Sequence, residues 1–450
     1  MSLAAPFLRK VVYPLWVRKN RSLRLRYLRE LEKSQFWPAE RIAARQLERF
    51  RKMFAHAYAT CPYYAAKYRA AGIQPEDIRS RSDIERVPGI TKEEIQENHD
   101  GLISSRYRKE DLIRDMTGGS TGAPMQFCYS RDRNDWREAA TLRHDRWSGW
   151  DIGERRAVLW GAPQDTRLTT GWMSRARERF IEARIMLDAA SIDEVKMAAF
   201  HEELVRFRPV ILQAYANTLG LFARYLKEHG GAAVRPKGII TSAELLTQEN
   251  RRLIEEVFGC PVFNRYGSRE VAVIASECDR HLGLHVNAEN LLVEVVANGR
   301  SVLDEDGEIV ITDLVNDAMP MMRYHIRDVG RIKSGSCTCT RGLPLLELSG
   351  GRVTEFLTAA DGSKVSGIVL ATYVITNLPG LRQVQFVQSE RGNVTVNVVK
   401  SSAWTEQTAA DLQDRVHRFL GEATHVELCF LTEIAPSPSG KFRFSISTVS

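Results

Sequence analysis

The stretch Met116-Thr117-Gly118-Gly119-Ser120-Thr121-Gly122-Ala123-Pro124-Met125-Gln126 is the densest run of small, conformationally permissive residues in the chain. Glycine admits left-handed backbone and lets a ligand approach closely. Successive turn amides make an anion-binding concavity, to which Ser and Thr hydroxyls add donors. The run therefore reads as a phosphate-cradling loop or as an ordinary tight turn. It is not a Walker loop, because Gly122-Ala123-Pro124 stands where Gly-Lys-Ser/Thr is required. A second chemistry-bearing set is Cys278 and His285 with Cys337 and Cys339 of Cys337-Thr338-Cys339. Three thiolates and an imidazole complete a tetrahedral zinc site, which is structural when protein fills all four positions. His281 competes with His285 at shorter spacing, and incidental buried thiols are the alternative. Cys61, Cys128, Cys260 and Cys429 read as ordinary core or surface residues. The histidines scatter, and no Ser-His-Asp arrangement is read from the sequence.

The elements that must position these groups follow from periodicity. Residues 35 to 60 predict an amphipathic helix through Leu47, Phe50, Phe54 and Ala57. Thr91-Lys92-Glu93-Glu94 predicts a capped helix start. Beyond the glycine run, helices are expected over 132–149, 193–207 (Val195, Ala199, Leu204 and Phe207 among its apolar positions), 218–229 and 248–258. They alternate with strands at 157–160, 211–212, 238–241 and 261–266, which predicts a largely parallel sheet covered on both faces. Leu291–Val296 and Glu308–Thr312 look antiparallel, with Asn298-Gly299 and Asp306-Gly307 turns. After about residue 350 a β-β-α-β run suits a small α+β domain, with Ser349-Gly350-Gly351-Arg352 as the hinge. The expected fold is α/β: a basic helical arm (1–60), a large domain of mixed and parallel sheets with flanking helices (61–349), and a small lid domain (350–450) that moves about the hinge.

Four further stretches give the glycine run its meaning: Asn264-Arg265-Tyr266-Gly267-Ser268-Arg269-Glu270, Arg323-Tyr324-His325-Ile326-Arg327-Asp328-Val329-Gly330, Gly350-Gly351-Arg352-Val353-Thr354-Glu355 and Pro438-Ser439-Gly440-Lys441-Phe442-Arg443. In this order, with the glycine run, they resemble the adenylate-forming enzymes, and within them the phenylacetate–CoA ligase branch with its capsule-biosynthesis relatives. The resemblance spans roughly residues 50 to 445. It implies that Thr117, Gly118, Gly119, Ser120, Thr121 and Gly122 grip ATP phosphates. It implies that Glu270 holds Mg2+, a hard cation suited to carboxylate and phosphate oxygen. Tyr266 would line the α-phosphate and acyl pocket, Asp328 would accept from the ribose hydroxyls, and Arg352 would contact ribose or phosphate. Ala243 and Glu244 resemble the segment flanking adenine, and Asn264 and Arg265 belong to the same nucleotide-binding set. Lys441 would bridge the substrate carboxylate and developing charge. Glu277-Cys278 and Gly283-Leu284-His285 also resemble a zinc segment of part of this branch. The chain departs from the family in having Met125-Gln126 where a Lys often stands, Arg269 before Glu270, and Thr354 in place of the hinge acid.

The implied activity is two-step: ATP activates an aryl or acyl carboxylic acid as acyl-AMP, and coenzyme A accepts the acyl group. Transfer to an amine or hydroxyl is the alternative, and a non-catalytic nucleotide-binding relative is a second. The implied cofactors are ATP/AMP, Mg2+, coenzyme A and structural Zn2+. At 450 residues, 44% hydrophobic and 26% charged, the chain is a globular protein of more than one domain. An odd count of seven cysteines argues against a disulfide framework, and a cytoplasmic location is expected. The net charge of +7 lies wholly in residues 1–30, where eight Lys/Arg oppose only Glu30. Charge confined to one arm does not describe a nucleic-acid-binding face. Mixed with Phe7, Val11, Val12, Tyr13, Leu15 and Trp16, it suits a peripheral membrane contact or packing on the arm's own domain.

Overall fold

A computed structural model of the chain describes residues 4–117, 125–160, 183–188, 194–352, 356–362, 364–366, 370, 378, 380–435 and 443–449. Its main feature is one sheet of twelve described strands. Arg184–Asp188, Arg156–Trp160, Ile211–Tyr215, Gly238–Ser242 and Val262–Ser268 run parallel in that spatial order. From Val262–Ser268 onward the pairing is antiparallel, through Ala272–Glu277, Leu284–Val286, Leu345–Arg352, Tyr324–Lys333, Gly307–Asp313, Leu291–Ala297 and Arg300–Ser301. The strand that carries Tyr266 is therefore the seam between the two halves.

Each half has its own core. Helices Glu194–Phe207, Ala216–Glu228 and Gln248–Phe258 bury Phe200, Leu204, Phe222, Ile254 and Phe258 against the parallel strands. The last of these helices is defined at both ends. Thr247 Oγ1 accepts from the Asn250 amide (3.1 Å), and Gly259 terminates it at φ +62°. In the first, Val195 is 79% exposed and Phe200 takes the core position. The stripe runs Phe200-Leu204-Phe207, so the expected Val195 and Ala199 fall on the solvent side.

Helices Ala39–Thr60 and Pro62–Ala70 cover the antiparallel half with Phe50, Phe54, Tyr64 and Tyr68. The expected helix start at residue 35 moves to Ala39, because Pro38 takes an extended backbone (ψ 148°) and caps it. A separate helix, Arg24–Ser34, precedes it and packs on helix Arg131–Trp147. The expected cap at Thr91 is present: its amide donates to Glu94 Oε2 (2.8 Å), and its hydroxyl accepts from the Glu94 amide (3.3 Å).

The small C-terminal sheet has strand order His425–Leu431, Asn393–Lys400, Leu381–Glu390, Ser445–Ser447, and helix Glu406–Leu420 contributes Leu412 and Val416 to its core. No described helix is long and apolar enough to cross a membrane.

Under the N-terminal helices Arg143 and Glu289 form a fully buried ion pair at 2.7 Å, and Ser34 Oγ donates to the same carboxylate oxygen at 2.6 Å. Burial alone would raise the Glu289 carboxyl, but Arg143 and Ser34 hold it below its ordinary range. Its stabilisation is therefore present at neutral pH and lost as pH falls through that lowered value. Glu289→Ala would strand a buried guanidinium, and urea denaturation is expected to show a loss of about 3 kcal/mol.

Candidate active site and metal centre

In open α/β sheets ligands bind beyond the carboxyl ends of the parallel strands. Trp160, Tyr215, Ser242 and the Tyr266–Glu270 turn lie at those ends. Trp160 and Tyr215 rings meet at 4.2 Å there. The glycine run connects Ile113–Met116 to Gln126–Tyr129, an antiparallel hairpin anchored by buried Met125, Phe127 and Cys128. Thr117 closes its base: its amide donates to Met125 O and its Oγ1 accepts from the Met125 amide, both at 3.0 Å. Residues 118–122 of the expected phosphate grip lie outside the described residues. In letters, Gly118-Gly119-Ser120-Thr121-Gly122 also spells a Gly-x-Ser-x-Gly elbow, which needs a strand-to-helix turn. A hairpin on both sides rules that reading out.

At the seam, the Tyr266 hydroxyl donates to Asp328 Oδ2 at 2.6 Å. Asp328 is in turn the register partner of Arg352, which places the nucleotide-set residue of the expected hinge directly across the ladder from it. Glu270 is 8% exposed. Its Oε1 accepts from Tyr324 at 3.3 Å, and its backbone carbonyl accepts from Arg133 at 2.5 Å. Arg133 is pinned by Asp313 (3.1 Å), both side chains 2% exposed, so the turn that offers Glu270 is held from beneath. Glu270 Oε2 has no hydrogen-bond partner among the described residues. A half-open carboxylate on a rigid turn fits a hard cation. Arg269 Nη1 reaches Asp115 Oδ1 on the hairpin strand at 3.5 Å, tying the turn to the glycine loop.

The rest of the expected nucleotide set divides. Ala243 has φ +67°, and Glu244 accepts from the Asn217 amide (2.7 Å) in the first turn of helix Ala216–Glu228. Asn264 donates its amide to Glu277 (2.8 Å). Arg265 departs from expectation: its side chain is buried against Asp145 (2.6 Å), which Arg156 also pairs. Strand alternation is the reason, since Arg265 points to the face opposite Tyr266. Lys441 lies outside the described residues; the segment just beyond it is bound, with Phe444 O accepting from Phe386 N at 2.8 Å. Arg133, Asp313 and Tyr324 went unnoticed as site residues. Tyr324 lies inside a quoted motif, whereas a buried Arg in a helix gives no sequence signal.

Cys278, His285, Cys337 and Cys339 bring one donor atom each to within 4.8 Å of one another. Cys278 and Cys337 sulfurs are 3.7 Å apart, close to the edge of about 3.8 Å that a tetrahedron with Zn–S bonds of about 2.3 Å requires. His285 Nδ1 donates to Leu343 O (3.4 Å), which leaves Nε2 to face Cys339 sulfur at 3.2 Å. Burial pushes His285 down to about 4, so the imidazole is neutral as a ligand must be. Burial raises the Cys278 thiol to about 12. Burial would raise Cys339 too, but hydrogen bonds with Arg341 lower it. His281 turns away to Glu277 (3.1 Å) and packs on Phe263. Trp147 stands edge-on to His285, and the Arg341 guanidinium lies over the Trp147 ring at 4.6 Å.

Residues 357–448 match the CapK C-terminal domain family. Protein CapK of Staphylococcus aureus is 25% identical over 415 residues, covering 90% of this chain and 89% of that protein. The phenylacetate-coenzyme A ligase of Escherichia coli (strain K12) is 27% identical over 315 residues, 67% of this chain and 70% of that one. The chain is a homologue of CapK and of the phenylacetate–CoA ligases. This CapK-like chain shares its fold with a crystal structure of 2-hydroxyisobutyryl-CoA ligase in the postadenylation state with R3-HIB-AMP. The TM-score is 0.73 at 20% identity, with 91% of this chain and 90% of that one covered.

Proposed function

We propose that this protein is an AMP-forming ligase that activates an aryl or acyl carboxylic acid as its acyl adenylate and passes the acyl group to coenzyme A. The observation that carries the reading is the convergence of the Tyr266–Asp328 pair and the Glu270 carboxylate beside the Thr117 hairpin, at the seam of the sheet. Adenylation joins two anions: the acid's carboxylate oxygen attacks the α-phosphorus of ATP and the bond to pyrophosphate breaks. Positioning and charge neutralisation therefore dominate the barrier. The glycine-rich hairpin supplies amides and hydroxyls to the phosphates. Asp328 accepts from the ribose hydroxyls, with Tyr266 fixing its carboxylate. Glu270 would hold Mg2+, which would supply positive charge to neutralise the phosphates. Lys441 neutralises the reacting carboxylate, and the small domain carries it to the site.

The cysteine–histidine cluster is, in this proposal, a closed zinc site with no open position for substrate. A second reading keeps the adenylation and passes the acyl group to an amine or hydroxyl in place of coenzyme A.

The test is exchange of labelled pyrophosphate into ATP, measured with a panel of aryl and fatty acids. Exchange is expected with at least one acid, and Lys441→Ala is expected to lower it about 100-fold. Intact nucleotide binding with no exchange for any acid would mean a non-catalytic nucleotide-binding protein. Product analysis with and without coenzyme A separates thioester from amide or ester formation.

A further inference from the structure

The N-terminal segment has two faces, and only one is used by its own domain. Residues Ala4–Lys19 form a continuous helix, widened to a π turn at Leu8–Val12. One side docks on the loop after helix Arg131–Trp147. Arg9 pairs with Asp151 (3.1 Å) and donates to Ile152 O (3.2 Å), and Val17 is buried. A Cβ on Gly153 would come 2.9 Å from Ala5 O and 3.0 Å from Leu8 Cβ, so the helix lies directly against this loop. The other side is bare. Phe7 is 59% exposed and Leu15 62%, with Val11 and Trp16 also exposed. Five of the thirteen exposed large hydrophobics among the described residues fall between positions 7 and 23, so the exposure is concentrated here. Exposed Lys10, Arg18, Lys19 and Arg21 flank them, and none of these four pairs with an acid among the described residues.

We propose that this face seats the protein on an anionic lipid surface, the helix lying in the headgroup plane. Phe7, Val11 and Leu15 recur at intervals of four, and so present one apolar strip to the acyl boundary. The lysine and arginine groups meet lipid phosphates at the strip's margin. Charge complementarity selects this occupant: residues 31–450 carry equal numbers of acids and bases, so the arm alone is attracted to a negative surface. A polyanion such as RNA would use the cations and leave Phe7, Val11 and Leu15 in water. Arg9, the base of this helix not available to lipid, is held by Asp151, so the docked face also fixes the helix's orientation. This inference stands apart from the ligase proposal and needs no catalytic step.

The test is co-sedimentation of the full chain with vesicles of phosphatidylcholine alone and of phosphatidylcholine with about one third phosphatidylglycerol. Binding is expected only to the anionic vesicles and is expected to weaken at high salt. Lys10→Glu/Arg18→Glu/Lys19→Glu is expected to lower the partition coefficient about 100-fold. Val11→Ser/Leu15→Ser, which keeps every charge, is expected to lower it at least about 10-fold. Circular dichroism and pyrophosphate exchange should be unchanged in both variants. Failure to bind anionic vesicles would overturn the proposal. So would full binding by the serine variant, which would indicate charge attraction alone, as to an acidic protein. An oligomer that this variant dissociates would overturn it as well, by assigning the face to a second copy of the chain.

Discussion

Glu270→Gln is expected to lower acid-dependent pyrophosphate exchange roughly 10²–10³-fold while leaving the fold and magnesium-free nucleotide binding unchanged. The substitution is close to isosteric, and a glutamine oxygen can still accept from Tyr324. The backbone carbonyl that takes the Arg133 hydrogen bond is untouched, so the turn stays in place. What changes is the charge at the carboxylate that the proposal sets beside the phosphates. A group that matters mainly as a cation ligand predicts a particular pattern: the deficit narrows as Mg2+ is raised. A deficit independent of Mg2+ would point to a structural role for the Glu270–Tyr324 contact. Unchanged exchange would remove Glu270 from the site.

Cys337→Ser is expected to bring bound zinc from about one per chain to near zero and to lower unfolding free energy by about 5 kcal/mol. Cys337 is buried and its sulfur lies 3.7 Å from that of Cys278, so its loss opens the donor set on the sheet side. Chelation of the wild-type protein should reproduce the shift in thermal midpoint. Cys260→Ser is the control: this thiol is buried in the parallel-half core, away from the cluster, and its removal should leave the metal in place. Full zinc retention in Cys337→Ser would remove it from the ligand set.

The order of parallel and antiparallel strands was legible because the two halves have different sequence grammar. Helix-spaced stretches separate the strands of one half, and Asn298-Gly299 and Asp306-Gly307 turns separate Leu291–Ala297, Arg300–Ser301 and Gly307–Asp313 of the other. Short motifs pointed to the candidate site for a related reason: Tyr266, Glu270 and Asp328 sit in segments whose local backbone and chemistry are specified together. The choice of His285 over His281 was not legible, because it depends on which way each ring faces once strand Leu284–Val286 pairs with Leu345–Arg352. Nor was the inward turn of Arg265 expected, although its parity against Tyr266 contained it. Arg133 was hidden altogether. Its role comes from Asp313, 180 positions away, and long-range ion pairs leave no pattern in a single chain.

The N-terminal helices also make contacts with segments far along the chain. Ser34 and Arg49 hold Glu289, Gln46 donates to Leu291 O, and Gln35 O accepts from the Gly342 amide (2.9 Å). Gly342 has no room for a side chain there, since a Cβ would lie 1.9 Å from Trp37 O. These are contacts across 240 to 307 positions. Helix Arg24–Ser34 meets helix Arg131–Trp147 as soon as that helix is made, and helix Ala39–Thr60 packs on its neighbour Pro62–Ala70, but their contacts with Glu289, Leu291 and Gly342 wait for much later segments of the chain. Closing loops of that length makes these long-range contacts slow to form. During that interval the face of helix Ala39–Thr60 that later covers the antiparallel strands is open to chaperones and to other nascent chains.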